Sequence, residues 1–278
     1  MKPSRFDYER PTDLAGAIAL NCRDDLVVKL LAGGQSLGPM LNLRLAQPDL
    51  IVDITGIREL KRVETAGDAI IVGACVTHAD VEDGRVPDVT NGAMARVARG
   101  IAYRAVRSRG TIGGSLAHAD PSADWVSCLA AIGAEVILHG PAGQRRMAIG
   151  DFITGVFEVA LAPGEILEAV RIPRLSARAR FGYYKICRKT GELAQAIGAV
   201  LHDPDRAVFR AVVGATGSRP IVIADASILF ESSGSGHRGA FATGALTQRL
   251  VAAGMTDRFD CQIHVAALTR ALGQAEIA

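Results

Sequence analysis

Two glycine pairs stand 80 residues apart in this chain, at Gly33-Gly34 and Gly113-Gly114, and a serine follows each pair closely. Glycine lacks a Cβ atom, so its backbone reaches positive φ and can approach a ligand closely. Successive backbone N–H groups in such a turn form a concavity that binds anions. Two such segments predict a ligand with two adjacent anionic groups, and a dinucleotide pyrophosphate is the candidate. The predicted binding residues are Ala32, Gly33, Gly34, Gln35, Ser36 and Leu37, and then Thr111, Ile112, Gly113, Gly114 and Ser115.

Other binding and catalytic motifs are missing from the sequence. Neither glycine segment matches G-x-G-x-x-G or G-x-x-x-x-G-K-[ST], which argues against a Rossmann site and a P-loop. No C-x-x-C motif offers local ligands to zinc or to an iron–sulfur cluster. The scattered cysteines predict reduced thiols in the cytoplasm; they are Cys22, Cys75, Cys128, Cys187 and Cys261. No Ser-His-Asp, Cys-His or paired-carboxylate arrangement can be assembled, so no catalytic residue is predicted.

Asp124 and His118 follow the second glycine segment. This stretch has two interpretations. It is either only a helix N-terminus, capped by Asp120 or Ser122, or it places Asp124 in the first turn to reach a ribose hydroxyl or ring substituent of the ligand. His118 has no second histidine or glutamate at metal-ligand spacing and is interpreted as a structural or surface residue. No metal-ligating residue is therefore predicted.

Tyr184 and Lys185 lie in a segment whose alternation of apolar and charged residues is typical of a strand. One interpretation is a solvated strand face. The other brings a ring that can stack on a flat cofactor, and a cation that stabilises negative charge on a reduced one. The arginines before the second glycine segment carry the same two interpretations, a solvated face or local support for anion binding; they are Arg104, Arg107 and Arg109.

Length and charge narrow the class of protein. The chain has 278 residues, 31 basic and 29 acidic, for a net charge of +2. At this size a chain buries roughly 75% of its unfolded surface, so it needs no disulfide or metal to fold. The near balance of charge gives no reason to expect nucleic acid or a membrane surface as a partner. No apolar run approaches the ~18 residues of a transmembrane helix, and no secretory signal peptide is expected.

The pattern along the chain predicts an α+β body over residues 1–175 and a smaller domain of three strands and helices over residues 176–278. In the body, helices are expected at 12–21, from Thr77, at 94–101 and at 122–132. Strands are expected at 26–31, 50–54 and 134–138, with a hairpin at 63–75 and a last strand ending at 173.

Residues 173–180 are interpreted as a linker between the two domains, because they are polar and basic. The smaller domain is predicted to have strands at 181–186, 194–201 and 207–213, and helices from residue 240 with a break near Gly254. Residues 232–236 are expected to form a flexible surface loop.

The glycine segments and their neighbours together resemble one known family. Beyond the residues already named, the resemblance covers Leu43-Arg44, the run 107–115, the run 120–124 and the strand around Lys185. It extends from the opening residues to the alanine-rich end. The sequence is similar to the FAD-binding medium subunits of molybdenum hydroxylases, whose members include aerobic carbon monoxide dehydrogenase, nicotine and caffeine dehydrogenases, and the flavin domain of xanthine dehydrogenase.

The resemblance implies a two-lobed FAD-binding domain of the vanillyl-alcohol-oxidase type, followed by the smaller C-terminal domain. It implies that both glycine segments wrap the pyrophosphate of a non-covalently bound FAD, and that Asp124 and Lys185 also contact the cofactor. Tyr184 is carried over as a neighbour of the isoalloxazine ring. The chain departs from the family at Gln35, at Ser115, at Trp125 and around Gly191, where an acidic residue is commonly found.

The function implied by the resemblance is electron transfer within a three-subunit enzyme. A large subunit would carry molybdopterin and oxidise the substrate, and a small subunit would carry two 2Fe-2S clusters. Electrons would pass from these clusters to FAD in this chain and on to an external acceptor, in a cytoplasmic dimer of heterotrimers. A stand-alone flavin-dependent reductase or oxidase of the same fold, and a non-enzymatic nucleotide-binding module, are the alternatives.

Overall fold

A computed structural model describes residues 2–231 and 239–277. The strands are β1 Asp7–Glu9, β2 Val28–Leu31, β3 Leu50–Asp53, β4 Val63–Ala66, β5 Ala69–Gly73, β6 Glu135–Gly140, β7 Gly143–Ala148, β8 Ile153–Gly155, β9 Glu158–Val159, β10 Ile166–Pro173, β11 Arg180–Ile186, β12 Ala196–Asp203, β13 Val208–Gly214 and β14 Ile221–Ile223. The helices are α1 Leu14–Asn21, α2 Leu37–Asn42, α3 His78–Glu82, α4 Ala93–Arg99, α5 Arg104–Arg107, α6 Ile112–His118, α7 Asp124–Ile132, α8 Ile149–Phe152, α9 Thr243–Ala252 and α10 Arg258–Gln274.

The first lobe is a parallel sheet in the order β1-β3-β2 with α1 packed against it. Asp13 caps α1, because its carboxylate accepts a hydrogen bond from the Gly16 amide at 2.8 Å. Strand β3 is buried along its whole length. Strand β2 delivers the chain into the first glycine segment immediately after Leu31.

The second lobe is an antiparallel sheet in the order β4-β5-β10-β6-β7. Its central strand, β10, is almost entirely buried. Helix α7 is buried along its whole length, with Trp125 fully enclosed in the largest apolar core. The second glycine segment opens α6, which packs between β10 and α7.

The C-terminal region is an antiparallel sheet in the order β11-β12-β13-β14. Helix α10 covers one face of this sheet, and α7 from the preceding domain packs against β12 and β13 on the other. Adjacent residues of a strand point to opposite faces. Residues of β11 therefore face α7 and α10 in turn.

Most predicted elements are confirmed, and the α+β class is confirmed. Ala123 occupies the N-cap position of α7 and no side chain caps this helix, so the expectation of a side-chain cap from Asp120 or Ser122 was wrong. The C-terminal sheet has a short fourth strand, β14, that the prediction omitted. The surface loop predicted at 232–236 lies outside the described residues.

Candidate functional site

The first glycine segment joins β2 to α2. Gly34 has φ +72°, a conformation that glycine adopts without strain. Within the described ranges no hydrogen bond is donated by the backbone N–H groups of Gly33, Gly34, Gln35 or Ser36. These free donors precede the N-terminus of a helix and match the predicted anion-binding turn.

The second glycine segment forms the first turn of α6, and four of its five amides, those of residues 112–115, donate hydrogen bonds within the chain. The Gly114 amide donates to Thr111 Oγ1 at 3.0 Å, and the Ser115 amide donates to the Thr111 carbonyl oxygen at 3.0 Å. The amides of Ile112 and Gly113 are also bonded within the chain. The expectation that both segments are rich in free donors was therefore wrong for the second one, which offers the Ser115 hydroxyl and a close backbone surface instead.

Glycine is required in both segments because protein atoms lie against them. A Cβ atom on Gly33 would stand 2.1 Å from the carbonyl oxygen of Arg109, just before the second segment. A Cβ atom on Gly113 would stand 2.4 Å from the Ala74 Cβ. A Cβ atom on Gly114 would stand 3.6 Å from the Ala32 Cβ, so the two segments lie against each other. These close approaches exist whether or not a ligand is bound.

The segments form one wall of a cleft of about 400 Å³. Most of the predicted binding residues line it: Ala32, Gly33, Gly34, Gln35, Ser36, Leu37, Thr111, Gly113, Gly114, Ser115 and Asp124. Ile112, Tyr184 and Lys185 do not. Ile112 is fully buried in the core beneath the second segment, which suits the first turn of a packed helix.

Asp124 and Lys185 form a buried ion pair at the wall of the cleft. The Lys185 Nζ lies 3.0 Å from Asp124 Oδ1 and 3.1 Å from Oδ2, and it also donates to the Gly100 carbonyl oxygen at 3.0 Å. The Tyr183 hydroxyl donates to Asp124 at 2.8 Å. Burial raises the pKa of Asp124, an effect that Lys185 and Tyr183 oppose. Lys185 therefore supports the cleft through Asp124 and faces it only across that carboxylate.

Tyr184 lies on the opposite face of β11, so the structure contradicts its placement beside the cofactor. Its ring packs against the second apolar core, and the Arg270 guanidinium carbon stands 5.0 Å from the ring centroid. The two-residue repeat of a strand explains the error, because neighbouring residues cannot share a face. Applied to the sequence, the same rule would have paired Tyr183 with Lys185.

The cleft has further lining residues for which the sequence predicted no binding role. They are Ile101, His118, Leu193 and His78, of which His118 was interpreted as a structural or surface residue. Leu193 is 68% exposed, although it is a large apolar side chain. His118 is half-buried and packs against Phe157, with ring centroids 4.9 Å apart and the ring planes tilted by 39°. None of these residues lies in a motif, so only the fold reveals them.

His78 is buried at the start of α3, and its Nδ1 accepts a hydrogen bond from Trp125 Nε1 at 2.9 Å. Burial, with a smaller contribution from Arg107, lowers the pKa of His78 to about 4. The imidazole is therefore neutral at physiological pH.

None of the three arginines before the second glycine segment lines the cleft, and two of them, Arg104 and Arg107, are engaged in ion pairs. Arg104 pairs with Glu82 and Asp83 at 2.8 and 2.6 Å, and Arg107 pairs with Glu82 at 2.7 Å. The pairing holds α5 against α3. Arg104 and Arg107 therefore do not form a purely solvated face. They support the packing of two helices, and not an anion directly.

A larger cavity, about 850 Å³, lies away from both glycine segments, between the second lobe and the C-terminal sheet. Arg210 projects along it and donates to the Ala131 carbonyl oxygen at 3.2 Å, near the end of α7. A cation at a helix C-terminus stabilises the helix, which accounts for this half-buried guanidinium. Neither a cluster of His, Cys, Asp and Glu that could hold a metal nor a helix able to cross a membrane occurs among the described residues.

Residues 4–175 match the family model described as the FAD binding domain in molybdopterin dehydrogenase. The chain is 36% identical over 201 residues to the carbon monoxide dehydrogenase medium chain of Hydrogenophaga pseudoflava, an alignment that covers 72% of this chain and 70% of the relative. It is 35% identical over 202 residues to the caffeine dehydrogenase subunit beta of a Pseudomonas species, covering 72% and 68%.

Solved structures agree with these sequence matches over the whole chain. Carbon monoxide dehydrogenase from Hydrogenophaga pseudoflava superposes with a TM-score of 0.86 at 29% identity, covering 99% of both chains. Quinoline 2-oxidoreductase from Pseudomonas putida 86 superposes with a TM-score of 0.83 at 28% identity, again over 99% of both. The similarity therefore includes the C-terminal sheet, which lies outside residues 4–175.

Proposed function

Because the chain belongs to the family of FAD-binding domains of molybdopterin dehydrogenases, we propose that it is the FAD-carrying electron-transfer subunit of a three-subunit molybdenum hydroxylase. The observation that carries the proposal is the cleft in which the two glycine segments meet, with free amides on the first segment. Such amides suit a pyrophosphate, because they offer several donors to adjacent anionic oxygens without a counter-charge.

The residues of this chain bind and orient the cofactor, and FAD, when bound, supplies the redox chemistry. The amides of residues 33–36 hold the anionic part, and the Ser115 hydroxyl adds a donor from α6. The pair of Asp124 and Lys185 fixes the far wall of the cleft, since each side chain is at most 10% exposed. Leu193 and Ile101 supply apolar surface for the flat ring of the flavin.

Substrate oxidation is assigned to a molybdopterin-bearing large subunit, and delivery of electrons to the 2Fe-2S clusters of a small subunit. The named relatives, a medium chain and a subunit beta, are themselves parts of larger assemblies. The cysteines support this division. Cys75, Cys128 and Cys261 are buried in three different apolar clusters, and the described residues contain no group of His, Cys, Asp and Glu that could hold a metal ion.

Flavin analysis tests cofactor identity. Acid precipitation of the purified protein should release all flavin into the supernatant, and the released nucleotide should be FAD. Release of FMN, or flavin retained in the pellet, would contradict non-covalent FAD binding.

Reconstitution tests the division of labour against the stand-alone alternative. The FAD-loaded chain alone should reduce artificial dyes with reduced nicotinamide at most, because such reactions need only access to the ring. Bleaching of the flavin by an organic substrate should appear only after both partner subunits are added. A lone chain that a substrate reduces at the rate of full turnover would favour the stand-alone flavin enzyme.

A further inference from the structure

The backbone of His78 is fixed at the junction of α3 and the second glycine segment. Thr77 and Asp80 form a reciprocal capping box at the start of α3. The His78 amide donates to the Gly110 carbonyl oxygen at 2.9 Å, and the Ile112 amide donates to the Val76 carbonyl oxygen at 3.0 Å. The imidazole therefore starts from a rigid support beside the segment that begins at Thr111.

The hydrogen bond from Trp125 determines which nitrogen of His78 carries the proton. An indole N–H can only donate, so the His78 Nδ1 that it contacts must be an acceptor. In a neutral imidazole the proton then lies on Nε2. Trp125 is fully buried and is the single tryptophan of the chain.

The Nε2–H donor of His78 is unused within the protein. Throughout residues 2–231 and 239–277 no acceptor is recorded for Nε2, although the side chain is 95% buried. Nε2 is not fully enclosed by protein atoms, in contrast to the few buried side-chain atoms that lack a hydrogen-bond partner among the described residues. It therefore borders open space. His78 lines the cleft, and a Cβ atom on Gly110 would stand 2.8 Å from Nε2, which explains why that position is glycine.

We infer that His78 is a cofactor-contacting residue that donates its Nε2–H to an oxygen of FAD, with the proton placed on Nε2 by Trp125. The inference rests on the proposed function, because it takes FAD as the occupant of the cleft. A neutral donor adds a hydrogen bond without adding charge next to the ion pair of Asp124 and Lys185. The competing view treats His78 as a buried packing residue whose only role is to accept from Trp125.

Substitutions at His78 separate the two views. His78→Gln keeps both functions, since its Oε1 can accept from Trp125 and its amide N–H can donate into the cleft. His78→Leu removes both, and its double variant with Trp125→Phe removes the unpaired indole as well. FAD affinity, measured by quenching of flavin fluorescence, should be within about threefold of wild type for His78→Gln and about tenfold weaker for the double variant. Thermal unfolding of each apoprotein verifies folding.

Nitrogen chemical shifts give a readout that packing alone would not move. Long-range proton–nitrogen spectra of the labelled apoprotein should show the His78 ring protonated at Nε2, with His78→Gln providing the assignment. Addition of FAD should shift the Nε2 signal far more than the Nδ1 signal. Addition of FAD to Trp125→Phe should find a mixture of the two neutral tautomers and a weaker Nε2 response.

The outcomes distinguish failure of this inference from failure of the proposed function. A wild-type chain that binds no FAD overturns both. Wild-type binding with equal affinity in the folded double variant, or an Nε2 signal that FAD leaves unchanged, overturns only the role of His78.

Discussion

Asp124 and Lys185 illustrate how two residues assigned to a cofactor from the sequence act first on each other. Their side chains are almost completely buried at the cleft wall, with Lys185 Nζ 3.0 Å from Asp124 Oδ1. Removing one member of a buried ion pair leaves an uncompensated charge, whereas removing both costs much less.

We therefore expect Lys185→Met to lower the free energy of unfolding by about 3–5 kcal/mol, the typical cost of breaking a buried pair. The double variant with Asp124→Asn should regain most of that loss. Urea unfolding followed by circular dichroism measures both.

The pH dependence of the free energy of unfolding supplies a further check. Burial raises the pKa of Asp124, and Lys185 opposes that rise. Without Lys185 the folded state favours the protonated carboxyl more strongly, so the deficit of the variant should shrink as pH falls from 7. A deficit independent of pH, or a double variant as unstable as the single one, would contradict this account.

His78 carries the opposite pH dependence. Its pKa is about 4 when folded, below the ordinary 6.5, because the site is buried. Stability from this group is present above pH 6.5 and is lost as pH falls towards 4, because the unfolded chain binds the proton first. The loss should amount to about 3 kcal/mol. His78→Gln should flatten this part of the pH profile relative to wild type, as measured by urea unfolding at pH 7, 5.5 and 4. Parallel profiles would mean that folding leaves the pKa of His78 unchanged.

For single residues, the sequence predicts which side-chain types belong to the site better than it predicts on which face of an element each side chain lies. Asp124 was expected in the first turn of a helix and lies there. Tyr184 was expected at the cofactor and lies on the other face of its strand. His78 was not considered, because its partner Trp125 is 47 positions away and only tertiary structure brings the two together.

At the scale of elements, the first glycine segment and α2 offer a matched pair of substitutions. Gly33→Ala places a Cβ atom 2.1 Å from the Arg109 carbonyl oxygen, a backbone atom that cannot move without shifting the second segment. Gly38→Ala lies five residues further on, in α2, where a Cβ atom meets nothing within 4 Å.

Gly33→Ala should separate the two segments and weaken FAD binding at least tenfold, an effect of about 1.4 kcal/mol or more. Gly38→Ala should bind FAD normally and stabilise the protein by about 0.5–1 kcal/mol, because alanine favours helix. Fluorescence titration and thermal unfolding test both variants. Normal FAD binding by Gly33→Ala would mean that the contact between the segments is not needed for the cleft.

Elements with strong local signals were predicted well. Helices α1 and α3 begin within two residues of the predicted starts, because the side-chain caps of Asp13 and Thr77 are local effects. Strand β14, only three residues long, was missed, since its pairing with β13 is a tertiary contact. The second glycine segment was expected to be a loop like the first. Its helical character follows from the Thr111 cap, a signal that was present but not used.

At the scale of the whole molecule, the proposed role requires a lasting interface with an electron donor. Aromatic residues make up only 5% of the chain, so we expect that interface to be largely aliphatic. Expression in the native host should yield the chain bound to an iron–sulfur subunit and a molybdopterin subunit, with a mass that fits a dimer of heterotrimers. Native mass spectrometry measures the composition directly. A flavoprotein that purifies with no partner would contradict the proposed assembly.

The largest apolar core extends across the boundary near residue 175. It joins Trp125 and Leu129 of α7 to Ala199, Leu201 and Val212 of the C-terminal sheet. A Cβ atom on Gly214 would stand 1.8 Å from the Ser127 Oγ, so strand and helix touch without a gap.

Two regions that share one apolar core unfold together. We therefore expect one calorimetric transition for the whole chain, and an insoluble product when residues 1–175 are expressed alone. Two separate transitions would show that the halves fold independently. The C-terminal sheet therefore cannot be exchanged between relatives by itself. A chimera must also exchange the residues of α7 that pack against this sheet.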